Sequence, residues 1–419
     1  IQIPISLLWT SDSSKQQFNQ TTIEEIITMR TRHLLFVSLA LTGFFFSLLN
    51  GQSVIPVAAG TDGITAAYTS ATAGDIIELT TSGGLYIETK TLTVTAKQIT
   101  IRAKSGLANK PIWACSAVSA YGGLMEISAS VTLDGIIMDG TAGAPATATV
   151  NGIITKGTAG NYNITVKNST FKNFATAIYG SSSAQVDSVI VSNCIFQNLS
   201  KYGIIIYTSD VAIPAPGSAK NVTISNSTFS NITTMAVQVE ANDDVLGTTL
   251  GSDPVVAIDH VTFYNTPRVY THYCNYTTIR NCIFSTGAYS YYIYGLQSSC
   301  VNSLYWNAPT SLHTATFANL ISADPLFANA AGGDFTLLAG SPAYHAGTDG
   351  KSLGDLRWDI PPVVGPKVIP VAAGTDGITT AYTSATAGDI IELTTSGGLY
   401  IETTILVVTG KAVTIRAAS

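Results

Sequence analysis

The chain has 419 residues, of which 46% are hydrophobic and only 11% charged, with a formal net charge of −6. An average globular chain carries roughly 25% charged residues, so this composition belongs to a weakly charged folded protein and excludes a disordered polyelectrolyte. Lys and Arg form no run beyond Arg30–Arg32, and without a basic stripe to meet phosphates nucleic acid is excluded as a partner.

Residues 1–28 contain no methionine and read as translated upstream sequence outside the fold. Met29 opens a basic start, "RTRH", followed by the apolar "LLFVSLALTGFFFSLL" of 34–49 and a small-residue stretch, Gly51-Gln52-Ser53. That order describes a secretory signal peptide over 29–53, with an apolar run too short for a comfortable membrane span. It predicts a secreted or cell-surface protein whose mature chain begins at Val54. No Cys follows the apolar run, so a lipid anchor is not expected.

The segment Val54–Ser105 returns without a gap as Val368–Ser419, 314 residues later, differing only at positions 66, 90, 91, 93, 96, 98, 99 and 104 of the first copy. A period of that length is a whole domain rather than one supersecondary repeat. The Pro-rich "DIPPVVGPK" (359–367) reads as a linker between a domain at 54–358 and the start of a second copy at 368–419. The second copy reads as part of a longer tandem array, which makes self-association through tandem copies of the domain a candidate property. The alternative is a deliberate partial repeat acting as a cap or an inter-subunit plug.

Inside the domain a shorter pattern recurs. "NITVKNSTFKNF" (163–174), "SVIVSNCIFQNL" (188–199), "NVTISNSTFSNI" (221–232), "VVAIDHVTFYNT" (255–266) and "YTTIRNCIFSTG" (276–287) each set an alternating apolar strand, a polar turn and a Phe in the same order. "VTLDGIIMDGT" (131–141) is an earlier member with Met138 in the Phe place. The phenylalanines 171, 196, 229, 263 and 284 are 25, 33, 34 and 21 residues apart. A constant local motif at variable steps means constant rungs joined by loops of changing length, the signature of a parallel β-helix.

Stacked coils would put Phe over Phe about 4.8 Å apart. Asn168, Asn193, Asn226, His260 and Asn281 stand three places before the phenylalanines, and Asn173, Asn198, Asn231, Asn265 and Thr286 two places after. Asn tolerates tight-turn backbone, and its amide both donates and accepts along a stack, so these read as Asn ladders. Several also read N-x-[ST], the glycosylation acceptor pattern; the ladder accounts for the same residues. The five cysteines (115, 194, 274, 282, 300) do not make a disulfide-dense scaffold. They read as small buried residues, with a Cys274–Cys300 pair as the alternative.

"AGDIIELTTSGGLYIE" (73–88), leading to "ITIRAKSG" (99–106), resembles the opening coils of secreted bacterial right-handed β-helix proteins of the pectate-lyase-like and chondroitinase-B/alginate-lyase-like groups. "DPLFANAAGGDFTLLAGSPAYHAGTDGKSLGDLRW" (324–358) resembles their closing segment. The resemblance implies an all-β, right-handed parallel β-helix with the start of a second tandem copy. It also implies chemistry on uronic-acid polysaccharide, in which a proton alpha to the sugar carboxylate is removed by a base and the carboxylate is neutralised by Arg or a cation.

Counting five residues after each Phe gives Thr176, Lys201, Thr234, Arg268 and Tyr289. Lys201 is therefore the expected base and Arg268 the expected carboxylate partner, two rungs apart. Glu240 on the coil between them is a candidate substrate contact, and with Asp243 and Asp244 a candidate calcium site through oxygen ligands. A Glu-rich calcium motif beside the base belongs to the chondroitinase-B-like pattern, and no such run surrounds Lys201. The crowded tyrosines of 270–294 must point partly outward because strand side chains alternate. Tyr270, Tyr292 and His272 are the candidate sugar-ring contacts. The reading is a secreted carbohydrate-interacting β-helix protein, a polysaccharide lyase if catalytic; the rival is a non-enzymatic tandem-repeat fibre or adhesin. Amino-terminal sequencing of the exported protein should read Val-Ile-Pro-Val from Val54, and a start before Met29 would refute the signal-peptide assignment.

Overall fold

The computed structural model describes residues 52–419 apart from 117–121, 143–149, 157–161, 181–183, 185, 208–218, 241–253, 273, 275, 288–290, 295–296, 309–315, 360–366 and 419. Val54–Ser419 is one compact unit built almost entirely of parallel strands wound into coils, a parallel β-helix.

Each coil visits three faces in turn. The first face runs from Val54–Val57 through Ile99–Ala103 and Asn163–Lys167 to Thr316–Ala318. The second runs from Gly60–Thr61 through Ile112–Cys115 and Ile195–Leu199 to Ile321–Ser322. The third is the eight-stranded sheet from Leu92–Val94 to Tyr291–Tyr294. The strands Ala219–Ile232 and Val255–Tyr264 pass straight from the first face into the second. In the first coil a short helix, Gly63–Ser70, takes the place of a third-face strand.

Register is set by the corners. Asn168, Asn193, Asn226, His260 and Asn281 leave the first face with φ between 44° and 54°, and Asn173, Asn198, Asn231, Asn265 and Thr286 leave the second with φ between 49° and 61°. This left-handed conformation turns the chain in a single residue, and Asn accepts it at less cost than other residues bearing a Cβ. The corner amides also bond up the stack. Asn265 Nδ2 donates to Asn231 Oδ1 at 2.9 Å, and Asn231 Nδ2 to Asn198 Oδ1 at 3.2 Å. Asn168 and Asn281 donate instead to Asp134 and Asp259.

Inside, the aligned motifs stack residue on residue. Tyr86, Trp113, Met138, Phe171, Phe196, Phe229, Phe263, Phe284 and Tyr305 are successive register partners. Ring centroids from Phe171 to Phe284 lie 5.2, 4.5, 5.4 and 5.0 Å apart in stacked geometry. Room for the rings comes from small residues across the interior. A Cβ on Gly203 would stand 2.8 Å from the Phe229 ring and 2.3 Å from the Ala236 carbonyl oxygen.

A second interior column handles the backbone polar groups at the first corner. Ser169, Ser227 and Ser303 accept from the backbone N–H of Ile136, Cys194 and Cys282, and donate to the carbonyls of Lys167, Ser225 and Val301. Cys194 and Cys282 occupy the same place on other coils. All five cysteines are buried as thiols outside any disulfide, so the Cys274–Cys300 pair does not form. Burial pushes the Cys194 thiol up to about 11 and that of Cys300 to about 12, which leaves both unreactive near neutral pH.

The closing segment roofs part of the second face. Phe327–Asn329 pairs antiparallel with Asp334–Leu337, and Leu337, Ala343 and Leu353 pack on Ile283 and Leu304. Thr228 Oγ1 donates to Asp355 Oδ2 at 2.7 Å, and Trp358 Nε1 donates to Thr228 Oγ1 at 2.9 Å. The outer side of the first face carries a threonine column (Thr100, Thr132, Thr165) beside charges that are paired coil to coil. These pairs include Arg102–Glu78, Lys167–Asp134, Lys220–Asp187 and Arg280–Asp259.

The second copy begins in the same register: Val368 pairs with Ile390 and Ile390 with Thr414, as Val54 does with Ile76 and Ile76 with Thr100. Its helix Gly377–Ser384 is held like the first. Glu402 accepts from the N–H groups of Ile378 and Thr379, as Glu88 does from Ile64 and Thr65. A carboxylate at that end also meets the positive pole of the helix.

Because the stacked rings form one continuous column, Phe229→Ala should cost about 3–5 kcal/mol. Urea unfolding is the measurement, and a loss under about 1 kcal/mol would mean that the column is not what holds the coils together.

Candidate functional site

The second face is partly roofed and the charges of the first are paired, which directs attention to the outer side of the third. Two adjacent strands there, Met235–Glu240 and Val269–His272, set the arrangement. In "MAVQVE" Val237 and Val239 point into the core and are fully buried, so Gln238 and Glu240 point out. In "VYTH" Val269 and Thr271 are buried, so Tyr270 and His272 point out. Parallel pairing sets Gln238 beside Tyr270 and Glu240 beside His272.

These side chains are linked. His272 Nδ1 lies 3.2 Å from Glu240 Oε1, and Gln238 Nε2 donates to Glu240 Oε2 at 3.1 Å. An ionised carboxylate only accepts, so the His272 ring carries its proton on Nδ1 toward Glu240. The bond to His272 holds the Glu240 carboxyl below its ordinary range against a smaller opposing effect of burial, with the Gln238 bond adding to it. The Tyr270 and His272 rings are 5.5 Å apart, and the Arg268 guanidinium carbon lies 5.9 Å from the centre of the Tyr270 ring. Gln238 Oε1 is buried and accepts no hydrogen bond.

The expected residues distribute unevenly. Glu240, Tyr270, His272 and Arg268 are brought together. Tyr292 is in register with Tyr270 on the next strand, though its side chain lies outside the described residues. Asp243 and Asp244 lie outside them as well. Both Glu240 oxygens are occupied by His272 and Gln238, and among the described residues no group of three His, Cys, Asp or Glu side chains is placed to hold a metal ion.

Lys201 and Arg268 are not on one ladder, which corrects the count of five residues from Phe. The Thr234 N–H donates to the Lys201 carbonyl, whereas the Ala236 N–H donates to that of Arg268, so the two side chains start two positions out of register. The reason is the second corner. Tyr202, four residues after Asn198, pairs with Met235, four after Asn231, but Val269, which pairs with Val237, follows Asn265 by only four residues rather than six. Lys201 is exposed at that corner, one coil before the Gln238–Glu240 strand.

Gln238 was missed by sequence reasoning. Its signal was the strict alternation of "VQVE", which puts Gln and Glu on one side of a strand. A separate hollow of about 450 Å³ near the first corner is lined by Arg102, Lys104, Lys110, Asp134 and Asn168. Arg102 and Asp134 are already paired there with Glu78 and Lys167.

A carboxyl held below its ordinary range stabilises the fold above that range, and the contribution is lost as pH falls through the folded-state value. Glu240→Gln should therefore lower the melting temperature at neutral pH and flatten its fall on acidification. Thermal unfolding across a pH series measures this, and parallel curves for the two proteins would contradict it.

No protein family and no curated protein matches this chain. Among solved structures, the PL6 family alginate lyase AlyGC is 21% identical with a TM-score of 0.47, the match covering 65% of this chain and 40% of that one. An arginine-to-alanine mutant of AlyGC is 20% identical with a TM-score of 0.47, over 66% of this chain and 38% of the other. The chain thus spans well under two thirds of the length of these relatives.

Proposed function

We propose that the protein is an exported carbohydrate-interacting β-helix that takes an acidic polysaccharide on its third face, and that its reaction, where it reacts, is β-elimination on a uronic-acid chain. The observation that carries this reading is the grouping of Tyr270, His272, Glu240 and Gln238 on two adjacent strands of that face, with Arg268 immediately before one of them. The guanidinium and the rings have counterparts on a uronate polymer. A guanidinium suits a carboxylate through charge-assisted bonds. Aromatic rings offer flat apolar surface to a sugar ring. Strands hold such groups more rigidly than loops do.

The near-identical second start supports a different reading, a non-enzymatic cell-surface fibre built of tandem β-helices. Glycan binding decides between them. Polygalacturonate, alginate and a neutral glucan should be titrated against wild type, Arg268→Ala and Lys201→Ala, with calcium and with a chelator present. Acidic polymers should bind and the neutral one should not. Loss of a charge-assisted contact should weaken binding roughly tenfold or more in Arg268→Ala, with Lys201→Ala close to wild type. A fall on chelation would show that binding needs a divalent cation, and Asp243→Asn with Asp244→Asn would then test those two residues as its ligands. No binding to any glycan would overturn the carbohydrate reading in favour of the fibre.

A further inference from the structure

The Glu240–His272 pair is built differently from a sugar-ring contact. A histidine that only stacks on a pyranose needs no carboxylate behind it, and a glutamate that only binds a hydroxyl needs no second side chain on its other oxygen. Here Gln238 Nε2 holds Glu240 Oε2 at 3.1 Å and His272 Nδ1 stands 3.2 Å from Oε1, a chain of three side chains fixed by two neighbouring strands. Both partners keep some exposure, 19% of the His272 side chain and 27% of that of Glu240, so the pair sits at the surface of the face rather than beneath it. The carboxylate fixes the ring's orientation and its tautomer: with the proton on Nδ1, the basic lone pair is on Nε2.

We infer that His272 is the proton acceptor of this face, positioned by Glu240 and, through it, by Gln238. This rests on the carbohydrate reading above and deepens it by naming the chemistry. His272 Nε2 takes the proton from the carbon that bears the uronate carboxylate. The electron pair of that C–H bond forms a carbon–carbon double bond to the neighbouring ring carbon, and the glycosidic C–O bond on that neighbour breaks. The leaving oxygen takes up one proton, returned by the imidazolium or supplied by water, which in turn takes the imidazolium proton. The step consumes no oxidant, reductant or co-reactant, and its products are an unsaturated uronate end and a new hydroxyl end.

The assignment moves the base away from Lys201, whose backbone pairs beside Thr234, two positions out of register with Arg268. It also gives Glu240 a role distinct from substrate contact, since its effect passes through the ring of His272.

The experiment uses the chain from Val54 onward with polygalacturonate and alginate, following ultraviolet absorbance of the unsaturated product. His272→Ala should lower kcat by about 100-fold or more, the usual worth of general base catalysis, while KM stays within about threefold. Added imidazole should restore part of kcat to His272→Ala and none to Arg268→Ala, a rescue that a merely structural histidine would not show. Glu240→Gln places an amide that can donate to Nδ1, moving the ring proton to Nε2. It should likewise lower kcat, by about 100-fold, with KM little changed. An unchanged kcat in His272→Ala, or a loss that imidazole does not restore, overturns the assignment. Binding without product in wild type also overturns it while leaving the carbohydrate reading intact. Absence of both binding and product removes that reading, and the assignment with it.

Discussion

Stacking of each coil directly on the next is the constraint from which the rest of this molecule follows. A parallel strand pair aligns every residue with its counterpart one coil away, so any side chain that suits one position must tolerate its own likeness about 4.8 Å above and below. Aromatic rings meet that demand in offset stacks, which explains the unbroken succession from Tyr86 to Tyr305. Asparagine meets it at the corners, where a single left-handed residue turns the chain and its amide reaches the next coil. Charge meets it by alternating sign, as along Glu78, Arg102, Asp134 and Lys167.

The same constraint limits where function can be placed. Inward positions are used up by the stack, and the corners between the first and second faces by the asparagine, serine and cysteine columns. The closing segment occupies much of the second face through Asp355 and Trp358. What remains is an outer face where neighbouring coils may carry different residues without disturbing the core. On the third face one outer column runs through Glu126, Ile154, Tyr179, Ile205, Gln238 and Tyr270, changing residue type at each coil while the core beneath keeps its register.

Corner length is the second lever. Two residues more or less between the second and third faces move the later outward side chains along the strand and keep them outward, without affecting the aromatic stack. Lys201 and Arg268 are separated by this kind of shift, whereas Glu240 and His272, both counted from within paired strands, are not. A β-helix can therefore reposition groups on one face by editing a corner while the core keeps its register.

The sequence by itself determined the coils. The motif containing Phe171, Phe196, Phe229, Phe263 and Phe284 carries strand, corner and core in a fixed local order, and local order is what a sequence displays directly. It also required some of the tyrosines of 270–294 to point outward, because alternation along a strand is a property of the strand alone. Only the tertiary structure decided which outward residues meet. Pairing across coils depends on the number of residues spent at each corner, and that number is not constant from coil to coil. The Glu240–His272 contact rests on register between Met235–Glu240 and Val269–His272, strands of successive coils with Val255–Tyr264 between them in the chain. The roof over the second face was hidden for the same reason, since nothing local to Asp355 or Trp358 points to Thr228 more than a hundred residues earlier.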